Sequence, residues 1–234
     1  MTLKYEILQK PSPNYSSRSG RKPIAIVDHI TAGAYPGCLS WMQNPAAKAS
    51  AHYLVTRSGL IIQMVQDSNT SWHAGGVNKP SWSLYDGTNP NRYTLGIEHE
   101  GYSNQGGDGT LTEAQYQATL WLHQQLISEW QIPIDEDHII GHYRIDSVNR
   151  PNCPGHKFPW NRLFSDLRKG VIDVALAKWM IEDGEKALDE LAKKGLINMP
   201  ETKKGEKKLA ASVPAYMFWV MINRLADYKG GKVV

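Results

Sequence analysis

The order of hydrophobic and polar positions predicts several short strands in the first hundred residues. Ile24–Ile30 is an apolar run that ends in polar residues, which is typical of a buried strand. His52–Arg57 and Leu60–Val65 are two such runs joined by a Ser-Gly turn, and together they predict a β-hairpin. Thr94–Glu100 is a further strand candidate. Several short strands close together in sequence favour a sheet at the centre of this region.

The hydrophobic period then changes to that of a helix. Thr112–Trp130 is the clearest helix, with Thr112 as its cap and Gln115 three residues later to complete a capping box. His138–Tyr143 predicts another short strand. One long helix among strands indicates the α/β class, with a mixed central β-sheet flanked by helices. The apolar stripe expected to lie on that sheet has an i, i+4 spacing and comprises Ala114, Ala118, Leu122, Leu126 and Trp130.

Two segments show neither the hydrophobic pattern of a strand nor that of a helix. Residues 11–23 are rich in Ser, Pro, Arg and Gly, which predicts an irregular opening segment. Residues 67–91 are rich in Gly, Pro, Asn and Trp, which predicts a long loop of the kind that forms binding surfaces.

The pattern changes again after residue 167, and this indicates two domains, 1–167 and 168–234. The second carries the whole excess of basic over acidic residues. Its segment GEKALDELAKKGLINMP predicts a helix, and a second helix is expected to begin at Ser212 or Pro214. We therefore expect a small C-terminal helical module with little core of its own.

Composition and charge exclude several classes of protein. The chain has 234 residues, of which 41% are hydrophobic and 21% charged, as in an ordinary globular protein. Lys and Arg number 26 against 23 Asp and Glu, an excess too small to indicate a nucleic-acid partner. No run approaches the ~18 apolar residues of a membrane span. The start of the chain lacks the pattern of a signal peptide, so we expect synthesis in the cytoplasm. Nothing in the sequence specifies an oligomeric state.

Two histidines and one cysteine form a candidate metal site. His29 and His142 each stand near the end of a predicted strand, and Cys153 follows His142 by eleven residues. Two imidazoles and a thiolate can bind zinc and leave a fourth position open to water. The spacing alone is equally compatible with buried histidines and an inert thiol. Cys38 follows Pro-Gly in a predicted loop and is interpreted as an ordinary thiol.

Five motifs, in one order, resemble a known family. They are HITAG, SAHYLVTRSGLIIQMV, SWHAGG, LGIEHEG and IIGHYRID with NCPG. Residues 20–165 are thereby similar to the zinc-dependent N-acetylmuramoyl-L-alanine amidases of the type-2 amidase and peptidoglycan-recognition superfamily. The size and tail resemble those of a bacteriophage endolysin. The resemblance implies Zn²⁺ as the cofactor, with His29, His142 and Cys153 as its ligands.

The resemblance also implies roles for an acid and for groove residues. Glu98 matches the family's catalytic carboxylate; from the residues alone it is equally a strand-end carboxylate, and Glu100 would lie on the same face. His52 and His73 match positions that line the substrate groove, although partly buried structural histidines would look alike. Trp72 stands beside His73, and its ring could pack either on a sugar of the substrate or on the sheet.

The chain departs from the family at one position. Many relatives place a lysine two residues before the last ligand, where it can stabilise an oxyanion, and this chain has Pro151 there. Arg150 is the candidate replacement, with a plain surface cation as the alternative. Since a bound metal also stabilises an oxyanion, activity does not depend on that lysine alone.

The function implied by the resemblance is that of an endolysin. Such an enzyme cleaves the amide between N-acetylmuramic acid and the L-alanine of the stem peptide with a zinc-activated water. Its partner is bacterial peptidoglycan, which it reaches after release from the cytoplasm, and the C-terminal module would bind the wall. Two other classes stay open: a recognition protein that binds peptidoglycan without cleaving it, and a cysteine peptidase using Cys153 or Cys38.

Overall fold

Six strands form one mixed sheet in the computed structural model, which describes residues 5–102 and 108–169. The strands of the sheet are β1 (Ile7–Gln9), β3 (Ala25–Ile30), β4 (Tyr53–Val55), β5 (Ile61–Gln63), β7 (Thr94–His99) and β8 (Ile139–Gly141), and a separate ribbon contains β2 (Tyr15–Ser17) and β6 (Asn69–Ser71). The strand order in the sheet is β1-β5-β4-β7-β3-β8, and β4 and β5 are its only antiparallel neighbours among the described residues. In the ribbon, β2 and β6 are antiparallel.

Helices cover the sheet and contribute to its cores. The long helix α2 (Glu113–Trp130) packs Leu122 and Leu126 against Ile26 of β3 and Ile97 of β7. A shorter helix, α1 (Gly37–Gln43), packs near β4 and β5, and the last described segment is helical from residue 160 to residue 169. Short 3₁₀ helices lie at Pro45–Ala47, Pro90–Arg92 and His142–Arg144. The predicted α/β class and mixed sheet are confirmed.

The two faces of the central strands pack against different surroundings. Ile26 of β3 and Leu95 and Ile97 of β7 face the core formed with α2. The alternate residues Ala25 and Val27 belong to a second core on the opposite side. Side chains alternate along a strand. The later residues of β3 that are in step with Ala25 and Val27, and their neighbours on β7, therefore also lie on this second side. Both faces of these strands are therefore buried.

The structure corrects details of the long helix. The side chain of Thr112 accepts a hydrogen bond from the backbone N–H of Gln115, as predicted. The Gln115 amide, however, donates to the backbone oxygens of Val55 and Glu100, so it fastens α2 to the sheet rather than completing a capping box. Ala114 is exposed, so its predicted place in the apolar stripe on the sheet is wrong.

Other corrections concern short elements. The hairpin is confirmed with shorter strands, Tyr53 pairing with Gln63. The predicted irregular segments contain β2 and β6, which pair with each other. Cys38 lies in α1 rather than in a loop. Within the described ranges, no helix has the length and apolar character needed to cross a bilayer. The predicted helices of the C-terminal module lie outside the described residues, and the two-domain division stays a prediction.

Candidate active site

The site lies at the carboxyl ends of three adjacent parallel strands. His29 is the penultimate residue of β3, and its Cα partner on β7 is Glu98. On the other side of β3, Asp28 pairs with Gly141, so His142 follows directly after the end of β8. Parallel pairing brings these chain segments to one edge of the sheet, where open α/β sheets commonly bind ligands.

Three candidate ligands converge at this edge. His29, His142 and Cys153 are all buried, and their donor atoms lie within 4.8 Å of one another. The Nδ1 atoms of the two histidines are 3.0 Å apart. The backbone N–H of Ile30 donates to Cys153 Sγ at 3.4 Å, which holds the sulfur beside the end of β3. Among the described residues, this is the one group of three side chains that could hold a metal ion, and it is the group predicted from the sequence.

The chemistry of these donors fits a zinc ion. Burial lowers the pKa of His29 well below its usual value, with His142 as the next cause, so the imidazole is neutral as a ligand must be. Burial also lowers the pKa of His142 to about 4. The Cys153 thiol has its pKa raised by burial and by Glu98, so its thiolate needs a nearby cation. Nitrogen and sulfur donors of this kind suit Zn²⁺.

Two carboxylates that the sequence could not separate have different surroundings. Glu98 lines the cleft beside His29 and His142, and its Oε2 makes no hydrogen bond among the described residues. Glu100 accepts hydrogen bonds from the backbone N–H groups of Tyr35 (3.0 Å) and Arg57 (2.7 Å), so both of its oxygens serve the fold. Burial raises the pKa of Glu98 to about 8, while Arg150 opposes the shift. The free carboxylate at the cleft is therefore Glu98.

Arg150 and Pro151 both line the cleft, and Arg150 is exposed. The guanidinium donates to the neighbouring backbone oxygen of Asn149 at 3.1 Å. It is close enough to lower the pKa of both Glu98 and His142. A positive charge thus lines the cleft from the segment that leads to Cys153.

The cleft has a volume of about 870 Å³ and two tryptophans in its wall. Trp72 is half-buried, and its ring N–H donates to Ser16 Oγ at 3.2 Å. Trp41, which the sequence analysis did not select, projects from α1 and is 60% exposed. Exposed aromatic surface beside a polar cluster suits an amphipathic ligand.

The two histidines expected to line the groove differ in position. His73 lies in the cleft wall and its Nδ1 is 2.9 Å from His29 Nε2. His52 is fully buried and is not part of the wall, which corrects the expectation for this residue. It accepts a hydrogen bond from the backbone N–H of Gly96, and burial, followed by Arg18, lowers its pKa to about 3. His52 therefore has a supporting role in the protein interior and does not line the cleft.

Buried polar residues behind the site had no signal in the sequence. Arg18 is 4% exposed and donates to the backbone oxygens of Asp67, Arg92 and Thr94, and its Nη2 lies 2.8 Å from His52 Nε2. On the helix side, His123 of α2 lies 3.2 Å from Asp28, and this pairing outweighs burial and raises the pKa of His123. Neither contact joins residues that are close in the sequence.

Comparison with known proteins gives one consistent result. The family described as N-acetylmuramoyl-L-alanine amidase matches residues 19–156. The chain is 32% identical over 174 residues to N-acetylmuramoyl-L-alanine amidase A of Achromobacter lyticus, covering 68% of this chain and 90% of that protein. It is 31% identical over 179 residues to 1,6-anhydro-N-acetylmuramyl-L-alanine amidase AmpD of Salmonella typhimurium, covering 67% of this chain and 88% of that protein. A selenomethionine AmpD structure matches with a TM-score of 0.55 and 26% identity, covering 70% of this chain and 96% of that one.

Proposed function

Because this chain belongs to the N-acetylmuramoyl-L-alanine amidase family, we propose that it is a zinc-dependent peptidoglycan amidase of the endolysin type. The observation that carries the proposal is the convergence of His29, His142 and Cys153 beside the free carboxylate of Glu98. The bond cleaved is the amide between the lactyl group of N-acetylmuramic acid and the first L-alanine. Zinc held by the three residues would supply a Lewis acid that makes water a stronger nucleophile.

Glu98 is the proposed general base and acid. Hydrolysis adds a hydroxyl to the lactyl carbonyl carbon and a proton to the alanine nitrogen as the C–N bond breaks. Glu98 takes the proton from the attacking water at a carboxylate oxygen and delivers it to the leaving amine. The position of its carboxylate in the cleft wall, without a protein hydrogen bond at Oε2, supports this role.

Arg150 and the cleft wall are proposed to position the substrate. The Arg150 guanidinium stabilises negative charge that develops on the carbonyl oxygen, because it is the cation that faces this end of the cleft. Trp72 and His73, which come from another segment of the wall, contact the muropeptide as well. His52 keeps a supporting role, since it is fully buried.

The direct test is to digest purified cell walls and identify the new chain ends by mass spectrometry. We expect free L-alanine amino termini and intact glycan strands. New reducing sugar ends, or cleavage within the stem peptide, would contradict the proposed bond. A recognition protein without catalysis would release no products while still binding the wall, and this outcome would favour the alternative function.

A second candidate substrate follows from the relatives. Several of them are named 1,6-anhydro-N-acetylmuramyl-L-alanine amidases, so a soluble anhydro-muropeptide is a competing substrate. The ratio of kcat/KM for intact walls to kcat/KM for a 1,6-anhydro-muropeptide separates the two. An endolysin should lyse intact walls efficiently, whereas an enzyme confined to the anhydro-muropeptide should leave them intact.

A further inference from the structure

Thr94 closes a chain of hydrogen bonds that starts at a candidate metal ligand. His29 Nε2 lies 2.9 Å from Nδ1 of His73. His73 Nε2 lies 3.1 Å from Oγ1 of Thr94, which is fully buried at the start of β7. The Thr94 hydroxyl in turn donates to the backbone oxygen of Pro90 at 2.8 Å. Two side chains, those of His73 and Thr94, thus link the candidate ligand His29 to a backbone carbonyl.

The hydrogen bond from Thr94 to Pro90 sets the donor and the acceptor of every other hydrogen bond in this series. A hydroxyl has one proton, and the Pro90 oxygen can only accept, so Thr94 Oγ1 is left to accept from His73 Nε2–H. A neutral imidazole carries one N–H, so His73 Nδ1 then accepts from His29 Nε2–H. The remaining nitrogen, His29 Nδ1, keeps its lone pair, and it faces Nδ1 of His142 at 3.0 Å.

The reverse direction would block metal binding by His29. If Thr94 donated to His73 Nε2, the proton of His73 would sit on Nδ1 and point at His29 Nε2. The His29 proton would then occupy Nδ1, which is the atom that faces the cluster. Only the first direction leaves His29 a free nitrogen among the three donors.

We propose that Thr94 is a positioning residue that acts through His73 to keep the His29 proton on Nε2 and leave Nδ1 free for the metal. This inference rests on the zinc site of the proposed function. Hydrogen-bond partners of this kind orient metal-binding histidines and raise their affinity for the metal.

The surroundings of His73 hold its ring in the required place. Asn91 Oδ1 accepts from the backbone N–H groups of His73 (3.1 Å) and Ala74 (2.6 Å). The ring lies directly over Gly96, where an added Cβ would be 2.5 Å from His73 Cγ. The absence of a side chain at Gly96 therefore allows the ring to reach both His29 and Thr94.

The test compares zinc affinity in four full-length chains by competition with a chromophoric chelator. Thr94→Val keeps the shape and removes the oxygen, and we expect zinc to bind ~10–100-fold more weakly. Thr94→Ser keeps the oxygen and should restore most of the affinity. The control is Thr70→Val, because Thr70 is also buried but its hydroxyl makes no hydrogen bond among the described residues. This control should bind zinc as the wild type does.

Long-range ¹H–¹⁵N spectra of the histidine rings give a second measurement that needs no variant. We expect the proton on Nε2 of both His29 and His73 in the wild-type chain, with zinc and after its removal. A proton on Nδ1 of His73, or unchanged zinc affinity in Thr94→Val, would overturn the assignment of Thr94. If the wild type binds no zinc, the proposed function fails, and the ring-proton positions still decide the direction of the chain.

Discussion

Replacing Glu98 by glutamine should impair hydrolysis, whereas replacing Glu100 by glutamine should lower stability. Glu98→Gln keeps the shape and removes the proposed base, so turnover should fall by ~10²–10⁴-fold. Zinc should stay bound, because the three proposed ligands are unchanged. The free energy of unfolding should change little, since Glu98 Oε2 makes no hydrogen bond among the described residues.

Glu100→Gln should mainly lower stability. The carboxylate accepts from two backbone N–H groups, at Tyr35 and Arg57, and an amide offers only one oxygen to them. Loss of one charge-assisted hydrogen bond costs about 1–2 kcal/mol at a partly exposed site. For a domain of this size that corresponds to a fall in Tm of about 2–8 °C. Turnover of Glu100→Gln should remain near that of the wild type.

The assay is turnover on a soluble muropeptide, with zinc content and Tm measured on the same preparations. The two variants control for each other, because each makes the same chemical change at positions two residues apart. Near-normal turnover of Glu98→Gln together with an inactive Glu100→Gln would show that the catalytic carboxylate is assigned to the wrong residue.

Three further predictions concern the metal, its sulfur ligand and the tail. The purified chain should contain about one zinc ion, lose activity with a strong chelator and regain it with zinc; a metal-free, fully active enzyme would contradict the mechanism. Cys153→Ala should lose zinc and activity, whereas Cys153→Asp should retain some of both, because a carboxylate can bind zinc but cannot form a thioester. A fully metallated but inactive Cys153→Ala would indicate a cysteine nucleophile instead. A chain ending near Leu167 should keep activity on soluble muropeptides and bind intact walls less well; a product that is insoluble, or inactive on soluble muropeptides, would contradict a separate wall-binding module.

The sequence carries most of the information on two of the candidate ligands because His29 and His142 lie at the ends of recognisable strands. The hydrophobic pattern of the sequence locates β3, β7 and β8. Parallel pairing brings the carboxyl ends of these strands together, so a predicted parallel sheet makes His29, Glu98 and His142 neighbours. The resemblance selects Glu98 over Glu100, and the hydrogen bonds of Glu100 give an independent physical reason for the same choice.

The short elements could not be predicted in the same way. Strands of three residues, such as β2 and β6, contain too few positions for an alternating pattern to stand out. Helix α1 has seven residues, and no side chain caps its first turn. Cys38 is therefore predicted to lie in a loop, whereas the structure places it in α1 together with Trp41, and both residues line the cleft.

The supporting residues depend on contacts between segments that are distant in sequence. Alternation along β7 places Thr94, Gly96 and Glu98 on one face, and this much follows from the strand prediction. What they face does not, because His73 comes from a loop more than twenty residues away in the chain and reaches Thr94 only after that loop has folded. Buried polar groups must find such partners, so a strand residue of small size and polar character opposite a loop histidine is a candidate for a positioning role. The same reasoning applies to Arg18, whose burial becomes favourable only when backbone oxygens from two separate segments, at Asp67 and at residues 92–94, surround its guanidinium.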